Sequence, residues 1–291
     1  MQPLRERIRD AEAKKVAIGH FNISNLEQLK AVAHAAMRLD VPVIIGVSEG
    51  ERAYLGLHHV KDFVASYNAE HAKEHGFRLY LNADHTHDPG KVREAARVGF
   101  DAVLFDGGKL PFAENVALTR TAATLAREVQ PNVLVEGELG YIGSGSQVLE
   151  KIPEGAAVTP VQMTTPEEAA RFVKETGVDL LAPAVGNVHG LVEGGNPKLN
   201  IDRIREIKKA VNIPLVLHGG SGVSDEDFRA AIEAGISIIH ISTELRLAWR
   251  EGIAESLRAN PNEVAPYKLT ELALAKMERV AESRLRLFNR I

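Results

Sequence analysis

Short runs rich in Val, Ile and Leu alternate along the chain with longer segments whose apolar residues recur at helical spacing. The runs occupy residues 16–21 (VAIGHF), 41–47 (VPVIIGV), 77–83 (FRLYLNA), 101–106 (DAVLFD), 132–138 (NVLVEGE), 178–184 (VDLLAPA), 213–219 (IPLVLHG) and 236–242 (ISIIHIS). Each is almost continuously apolar, as a parallel strand covered on both faces must be. The helical segments open on capping residues: Asn25, Asp88-Pro89, Thr165-Pro166 and Ser224. Several close at Gly99, Gly177 or Gly235 just before the next run. Eight strand–helix units without a linker or low-complexity break predict one (β/α)8 TIM barrel, a single domain over residues 1–291. A doubly wound sheet is the competing arrangement, but the first strand–helix turn, GHFNISN, lacks a Gly-rich dinucleotide loop. Residues 1–15 predict a charged amphipathic helix and 262–291 an extra C-terminal helical tail. Leu272, Leu274, Met277 and Val280 of that tail need an apolar surface, on their own barrel or on a partner's.

Composition narrows the ligand. The 291 residues carry a net charge of −4 with acids and bases interspersed, so neither a nucleic-acid stripe nor a polybasic membrane segment is present. A small molecule is the expected ligand. No run approaches the roughly 18 apolar residues of a membrane span, and the N-terminus has no signal core, so the cytoplasm is the expected compartment. Cysteine is absent, so any metal must be held by His, Asp or Glu.

In a barrel of this kind the site lies at the C-terminal ends of the strands. There the third run continues into Asp84-His85, the fourth ends in Asp106, and the fifth holds Glu136 and Glu138. The sixth runs on to His189, and the seventh ends in His218. A lone strand-end His is usually a hydrogen-bonded structural residue, and His58, His59, His71 and His75, placed on the second helix, keep that reading. Three strand-end imidazoles, His85, His189 and His218, fit an open catalytic zinc site with a position left for substrate or water. His87 and His20 are reserve ligands, and Asp106 or Glu138 is an outer partner or an alternative ligand. After the seventh run, HGGSGVS offers Gly219, Gly220 and Gly222, and Thr243 begins a helix whose free N–H groups favour an anion such as phosphate. Ser48, in GVSEGER, is a candidate contact to a distant hydroxyl or second phosphate.

With these residues in place the chain resembles the class II, zinc-dependent ketose-bisphosphate aldolases, the family of fructose- and tagatose-bisphosphate aldolases. The likeness runs nearly end to end through HFNISNLEQLKAV, NADH, FDGGKLPFAENV, VEGELG, LLAPAVGNVHG, PLVLHGGSGV and STEL. The resemblance implies Zn2+, with Co2+ or another divalent metal as the alternative, on His85, His189 and His218. It implies that Asp84 exchanges a proton with the substrate's C4 hydroxyl, and that Asp106 and Glu138 lie near a second, more buried metal position. Gly190 and Gly219 match carbonyls that hold a monovalent cation, Na+ or K+. Gly220, Ser221 and Thr243 match phosphate contacts, and Asn22, His240 and Ser242 fall at substrate-facing positions. The expected activity is reversible cleavage of a phosphorylated ketose to dihydroxyacetone phosphate and an aldehyde, by a homodimer or homotetramer in carbohydrate metabolism (glycolysis). A neighbouring subunit's Arg often reaches the distal phosphate in this family, and Arg279, Arg284 and Arg286 are the tail candidates.

Two positions depart from the family pattern. The loop after ELG usually carries an acid where this chain has Ser146, with Glu150, Glu154, His240 or water left to replace it. The last strand usually presents Asn where this chain has His240. These departures keep two other outcomes in view: an aldolase of altered substrate range, and a silent phosphosugar-binding barrel. A barrel metal hydrolase is the rival enzyme, because HTH is a His-x-His pair, but that class places the pair on the first strand. A Schiff-base lysine would need a Lys in the barrel mouth, and Lys109 lies in a loop.

Overall fold

The computed structural model describes residues 2–143 and 145–291. All eight predicted runs are strands of one closed parallel barrel. In chain order they are β1 (Ile18–Asn22), β2 (Pro42–Val47), β3 (Arg78–Thr86), β4 (Ala102–Phe105), β5 (Leu134–Leu139), β7 (Leu180–Pro183), β9 (Leu215–Leu217) and β10 (Ile236–Ile241). Two short strands outside the barrel, β6 (Val148–Leu149) and β8 (Leu191–Val192), pair with each other above it. Hydrogen bonding between β1 and β10 closes the ring, with His20 opposite His240.

The surrounding helices are α2 (Leu26–Leu39), α3 (Glu49–Leu55), α4 (Leu57–His71), α5 (Pro89–Val98), α6 (Phe112–Val129), α7 (Pro166–Thr176), α8 (Ile201–Val211), α9 (Asp225–Ala234) and α10 (Thr243–Ala259). The expected caps close their first turns: Asn25 accepts from the Gln28 amide, Ser224 from Asp227, and Thr165 forms a reciprocal box with Glu168. The single helix expected after β2 is two, broken at Gly56. His58, His59 and His71 belong to the second of them, while His75 lies beyond its end.

One end of the barrel is plugged. Helix α1 (Leu4–Lys14) spaces Leu4, Ile8 and Ala11 along one face and packs them under Ile18, Ile44, Tyr80, Leu134, Val216 and Ile238. Burying a Leu or Ile this fully stabilises by ~1.5–3 kcal/mol, so the floor is a packed core and not a pore. The C-terminal helix α11 (Pro266–Asn289) covers the chain's own barrel: Met277, Ala281, Leu285 and Phe288 are buried in the main core, and Ala273 is buried against Gly252 of α10. Among the described residues no helix is long and apolar enough to cross a membrane.

Candidate active site

Alternate residues of a strand share a face, so steps of two climb the barrel interior. The floor residues Ile18, Tyr80, Leu134, Val216 and Ile238 are followed two positions later by His20, Asn82, Glu136, His218 and His240. A further step on β1, β3 and β5 gives Asn22, Asp84 and Glu138. The apolar floor thus turns polar towards the mouth, where a cavity of about 780 Å³ opens.

Asp84 and His85 are neighbours on one strand and would ordinarily point to opposite faces. His85 has φ of 34°, and the β3–β4 register breaks between Ala83 and Thr86. This irregularity turns both side chains to the mouth, where Asp84 Oδ2 lies 3.8 Å from His85 Nε2. A non-glycine residue in that backbone region costs ~1–3 kcal/mol and concentrates at functional sites.

The structure brings His85, His189 and His218 together, with one nitrogen of each within 4.8 Å of the others. Their remaining ring nitrogens are each held by an oxygen. His85 Nδ1 is 2.8 Å from Asp106 Oδ2, His189 Nδ1 is 2.8 Å from the Gly143 carbonyl, and His218 Nε2 is 2.8 Å from Glu136 Oε1. A proton on each of these outer nitrogens leaves the inner lone pairs facing one another. Three neutral imidazoles, oriented by outer oxygens and open on the cavity side, are a donor set that could hold a divalent cation. His189 and His218 suit it further, since burial and the neighbouring His85 push them down to about 3 and about 4 respectively. Burial also works against protonation of His85, but Asp84, Asp106 and Glu138 outweigh it and raise its value well above the ordinary one. Among the described residues Glu138 Oε2 is buried without a hydrogen-bond partner, 3.6 Å from His85 Nδ1, and His85, Asp106 and Glu138 form a second possible donor group.

Of the two reserve ligands, neither joins the three. His87 is exposed, with Nδ1 3.1 Å from the Asp106 carbonyl. His20 is fully buried in the layer of His218 and His240, where Asn82 Nδ2 meets its Nε2 at 3.1 Å and its ring stacks on His240, centroids 3.4 Å apart and planes within 3°. His240 in turn stacks on His218 at 3.9 Å. Both nitrogens of His240 are buried without a hydrogen-bond partner among the described residues, and its Nδ1 lies 3.5 Å from Asp84 Oδ1.

Asp84 is buried at the centre of a polar network. Its Oδ2 accepts from Asn22 Nδ2 at 2.8 Å, the same amide donates to Glu51 Oε2 at 3.1 Å, and Glu51 pairs with Arg246 at 2.6 Å. Arg52 donates to the Asp84 carbonyl and to Thr86 Oγ1, pinning the backbone from beneath. Oδ1 has no hydrogen-bond partner among the described residues. Burial would raise the Asp84 carboxyl, but the facing imidazoles of His85, His240, His20 and His218 hold it well below the usual carboxylate range. Burial and the nearby Asp84 push Glu136 the other way, well above it.

The predicted anion end is only partly free for an anion. Gly219 turns with φ of 62°, and a Cβ there would run into the Val188 carbonyl. The Gly220 amide donates to the His240 carbonyl and the Gly222 amide to Glu244 Oε1, so neither points at a ligand. Ser221 Oγ accepts from the Ser242 and Glu244 amides. Also lining the cavity are Ser221, Ser242, whose Oγ is buried without a hydrogen-bond partner among the described residues, and Thr243 at the first turn of α10. The Gly190 carbonyl accepts from Asn196 Nδ2, leaving one of its two lone pairs for a cation.

Ser48 caps α3, and Ser48, Ser146, Lys109 and Arg246 all line the cavity. Glu150 and Glu154 are exposed outside it, which removes both as replacements for a loop acid. Arg284 is engaged within the chain, bonding Glu244 through Nε and Nη2 and Asp225 through Nη1, and Arg286 pairs with Glu282. Sequence reasoning missed Glu51, Arg52, Asn82 and Arg246, and it named Glu136 without giving it a role. The available signals were the Ser48-x-x-Glu51 capping spacing and the two-residue step that places Asn82 below Asp84 and Glu136 below Glu138.

The family model described as fructose-bisphosphate aldolase class-II matches residues 2–291. A fructose-bisphosphate aldolase of Geobacillus stearothermophilus is 36% identical over 91% of this chain and 89% of its own. A sulfofructosephosphate aldolase of Alkalicoccus urumqiensis is likewise 36% identical, over 88% of this chain and 85% of its own. Among solved structures, the YdjI aldolase of Escherichia coli K12 superposes with a TM-score of 0.79 at 28% identity, covering 99% of this chain and 97% of that one. With that barrel, that mouth and those relatives, the chain belongs to the class II fructose-bisphosphate aldolase family, aldehyde-lyases that cleave ketose phosphates.

Proposed function

We propose that this protein is a metal-dependent aldolase that reversibly splits a ketose phosphate of the fructose 1,6-bisphosphate or tagatose 1,6-bisphosphate type to dihydroxyacetone phosphate and an aldehyde. The observation that carries the reading is the convergence of His85, His189 and His218 beside the buried Asp84 carboxylate in one cavity, with Ser221, Ser242 and Thr243 on its wall. The three imidazoles would hold the cation, Zn2+ in this reading with Co2+ as the alternative, and Asp106, Gly143 and Glu136 would fix their orientation. When bound there, a divalent cation supplies Lewis acidity that stabilises the negative charge developing on the ketone oxygen as the carbon–carbon bond breaks.

Asn22 occupies Asp84 Oδ2, so Oδ1 is the atom presented to the substrate. It takes the C4 hydroxyl proton as the C3–C4 bond breaks; the bond's electron pair stays on C3, and C4 leaves as the aldehyde carbon. A second proton must then reach C3 to complete dihydroxyacetone phosphate. Glu150 and Glu154 lie outside the cavity and Ser146 is a poor acid, so water or His240 is the source. The hydroxyls and first-turn amide of Ser221, Ser242 and Thr243 take one phosphate, while Ser48 and Arg246, which also line the cavity, meet the other anionic end. Because the bisphosphate and sulfofructosephosphate relatives are equally similar at 36%, a distal phosphate and a distal sulfonate both belong in the assay.

The test is cleavage of fructose and tagatose bisphosphates and sulfofructose phosphate by protein stripped with a chelator and then reloaded with Zn2+ or Co2+. Dihydroxyacetone phosphate should form only from the reloaded protein. Failure to split any of the three, or turnover indifferent to the chelator, ends this reading.

A further inference from the structure

His20 has no place among the converging imidazoles, yet it is packed with unusual care. Its ring is 0% exposed and lies flat against His240, with centroids 3.4 Å apart and planes within 3°. Asn82 holds its Nε2 from the edge at 3.1 Å. On the neighbouring strand, Gly46 makes the room: a Cβ there would run into the imidazole. On the far face of His240 lies His218, at 3.9 Å and 30°. His240 is therefore clamped between two rings, so its plane has little freedom. Its two nitrogens, in contrast, have no hydrogen-bond partner among the described residues although they are buried and the residue lines the cavity. Burying an unpaired polar nitrogen costs ~1–3 kcal/mol, a cost removed when a ligand supplies the missing group. Its Nδ1 sits 3.5 Å from Asp84 Oδ1, the oxygen assigned to the C4 hydroxyl, so imidazole and carboxylate address the same substituent.

We infer that His240 reads the configuration of the substrate hydroxyl presented to Asp84, and that His20 is a positioning residue that sets this preference by bracing the His240 ring through their stack. The inference rests on the aldolase reading for the identity of that hydroxyl. The brace itself rests on the geometry of His20, Asn82, Gly46 and His240. A neutral imidazole offers one donor and one acceptor in a fixed plane, so a ring free to tilt would lose discrimination between C4 epimers before it lost binding of the common phosphate end.

The experiment is a double-mutant cycle on the metal-loaded protein, read as the ratio of kcat/KM for fructose over tagatose bisphosphate. His240→Asn should shift that ratio by about tenfold or more. His20→Ala should shift it comparably without touching the substrate, and the double variant should add nothing beyond His240→Asn alone. His20→Phe, which restores a flat ring, should bring the ratio most of the way back. Gly46→Ala, which displaces His20 from outside the cavity, should copy His20→Ala and covers the case in which the cavity left by His20→Ala unfolds the protein. A second readout needs no turnover: the His240 ring signals in a 15N-imidazole NMR spectrum should move in His20→Ala and Gly46→Ala and return in His20→Phe. An unchanged ratio in His20→Ala, or effects that multiply in the double variant, overturns the inference. If the wild type cleaves neither sugar, it is the aldolase reading that fails, and unmoved His240 signals would still overturn the brace.

Discussion

His85, His189 and His218 meet at their nitrogens, whereas His20, His240 and His218 meet at their faces. Burial does not distinguish the two groups, since both lie deep in the barrel mouth. What differs is the partner of the second nitrogen. In the converging group an oxygen 2.8 Å away fixes each ring so that its other lone pair aims inward. In the stacked group the rings are fixed by each other and by Asn82, and the nitrogens of His240 are left to the cavity. An imidazole oriented by an outer acceptor is prepared for a cation, while one oriented by stacking keeps both edges for polar groups of a ligand. His218 takes part in both arrangements.

The largest expected effect breaks the comparison most directly. Replacing His218 or His85 by Ala removes a nitrogen from the converging group, and metal affinity should fall by more than the ~10–100-fold typical of losing only an outer partner. Turnover should fall with it. His240→Asn should leave metal content near that of the wild type. Plasma emission spectroscopy of the purified proteins measures both, and a His240→Asn protein as depleted as His218→Ala would mean that the stacked ring also serves the metal.

Asp84→Asn comes next, because it removes the proposed proton acceptor while keeping the size and polarity of the group. Steady-state kinetics should show kcat lowered by about 10²–10⁴-fold, with metal retained. A variant that keeps most of its kcat would shift the proton transfer to another group. Glu136→Gln tests the outer acceptor, since the amide can still bond His218 Nε2 but carries no charge; metal titration should show binding weakened by about 10–100-fold. Equal affinity would show that Glu136 is merely packed against His218.

The sequence reading of the barrel succeeded because each strand is a short apolar run bounded by capping and left-handed residues, all local signals. The three imidazoles were legible for a related reason: each lies at the end of a run, where a polar side chain has no packing purpose. The second group was not legible. His20 and His240 are 220 positions apart, and their stack follows from the β1–β10 pairing that closes the barrel, which no local pattern encodes. Reading the runs as uniformly apolar also hid the two-residue climb from Ile18 to His20 and from Leu134 to Glu136. Glu150 and Glu154 follow Ser146 closely in the chain, but nearness in sequence does not bring a side chain into the cavity. The structure puts both on the outside of a loop that is tied to the segment after His189 by the β6–β8 pair and by the bond from the His189 amide to the Ile142 carbonyl.

The smallest expected effect concerns pH and separates the two groups in the metal-free protein. Burial holds His20 and His218 down to about 4 and His189 to about 3, against an ordinary value of 6.5. Between 6.5 and those values the unfolded chain binds protons that the folded chain refuses, so these three residues contribute stability that is present above 6.5 and lost as the pH falls. His85 works in the opposite sense: with its value raised, its contribution is present below 6.5 and lost as the pH rises through the folded value. His240 is likewise held well below its ordinary value, while Glu136 and Glu138, raised well above theirs, and Asp101, raised to about 6, join His85 on the other side. The overall slope is therefore a balance, and the contribution of one residue is read by comparing melting temperatures of metal-free variant and wild type from about pH 7 to about pH 5. His20→Phe removes one of the three without removing a nitrogen from the converging group. The slope of its melting temperature against pH should therefore be less positive than the wild type's over the same window, and an unchanged slope would assign no acid sensitivity to His20.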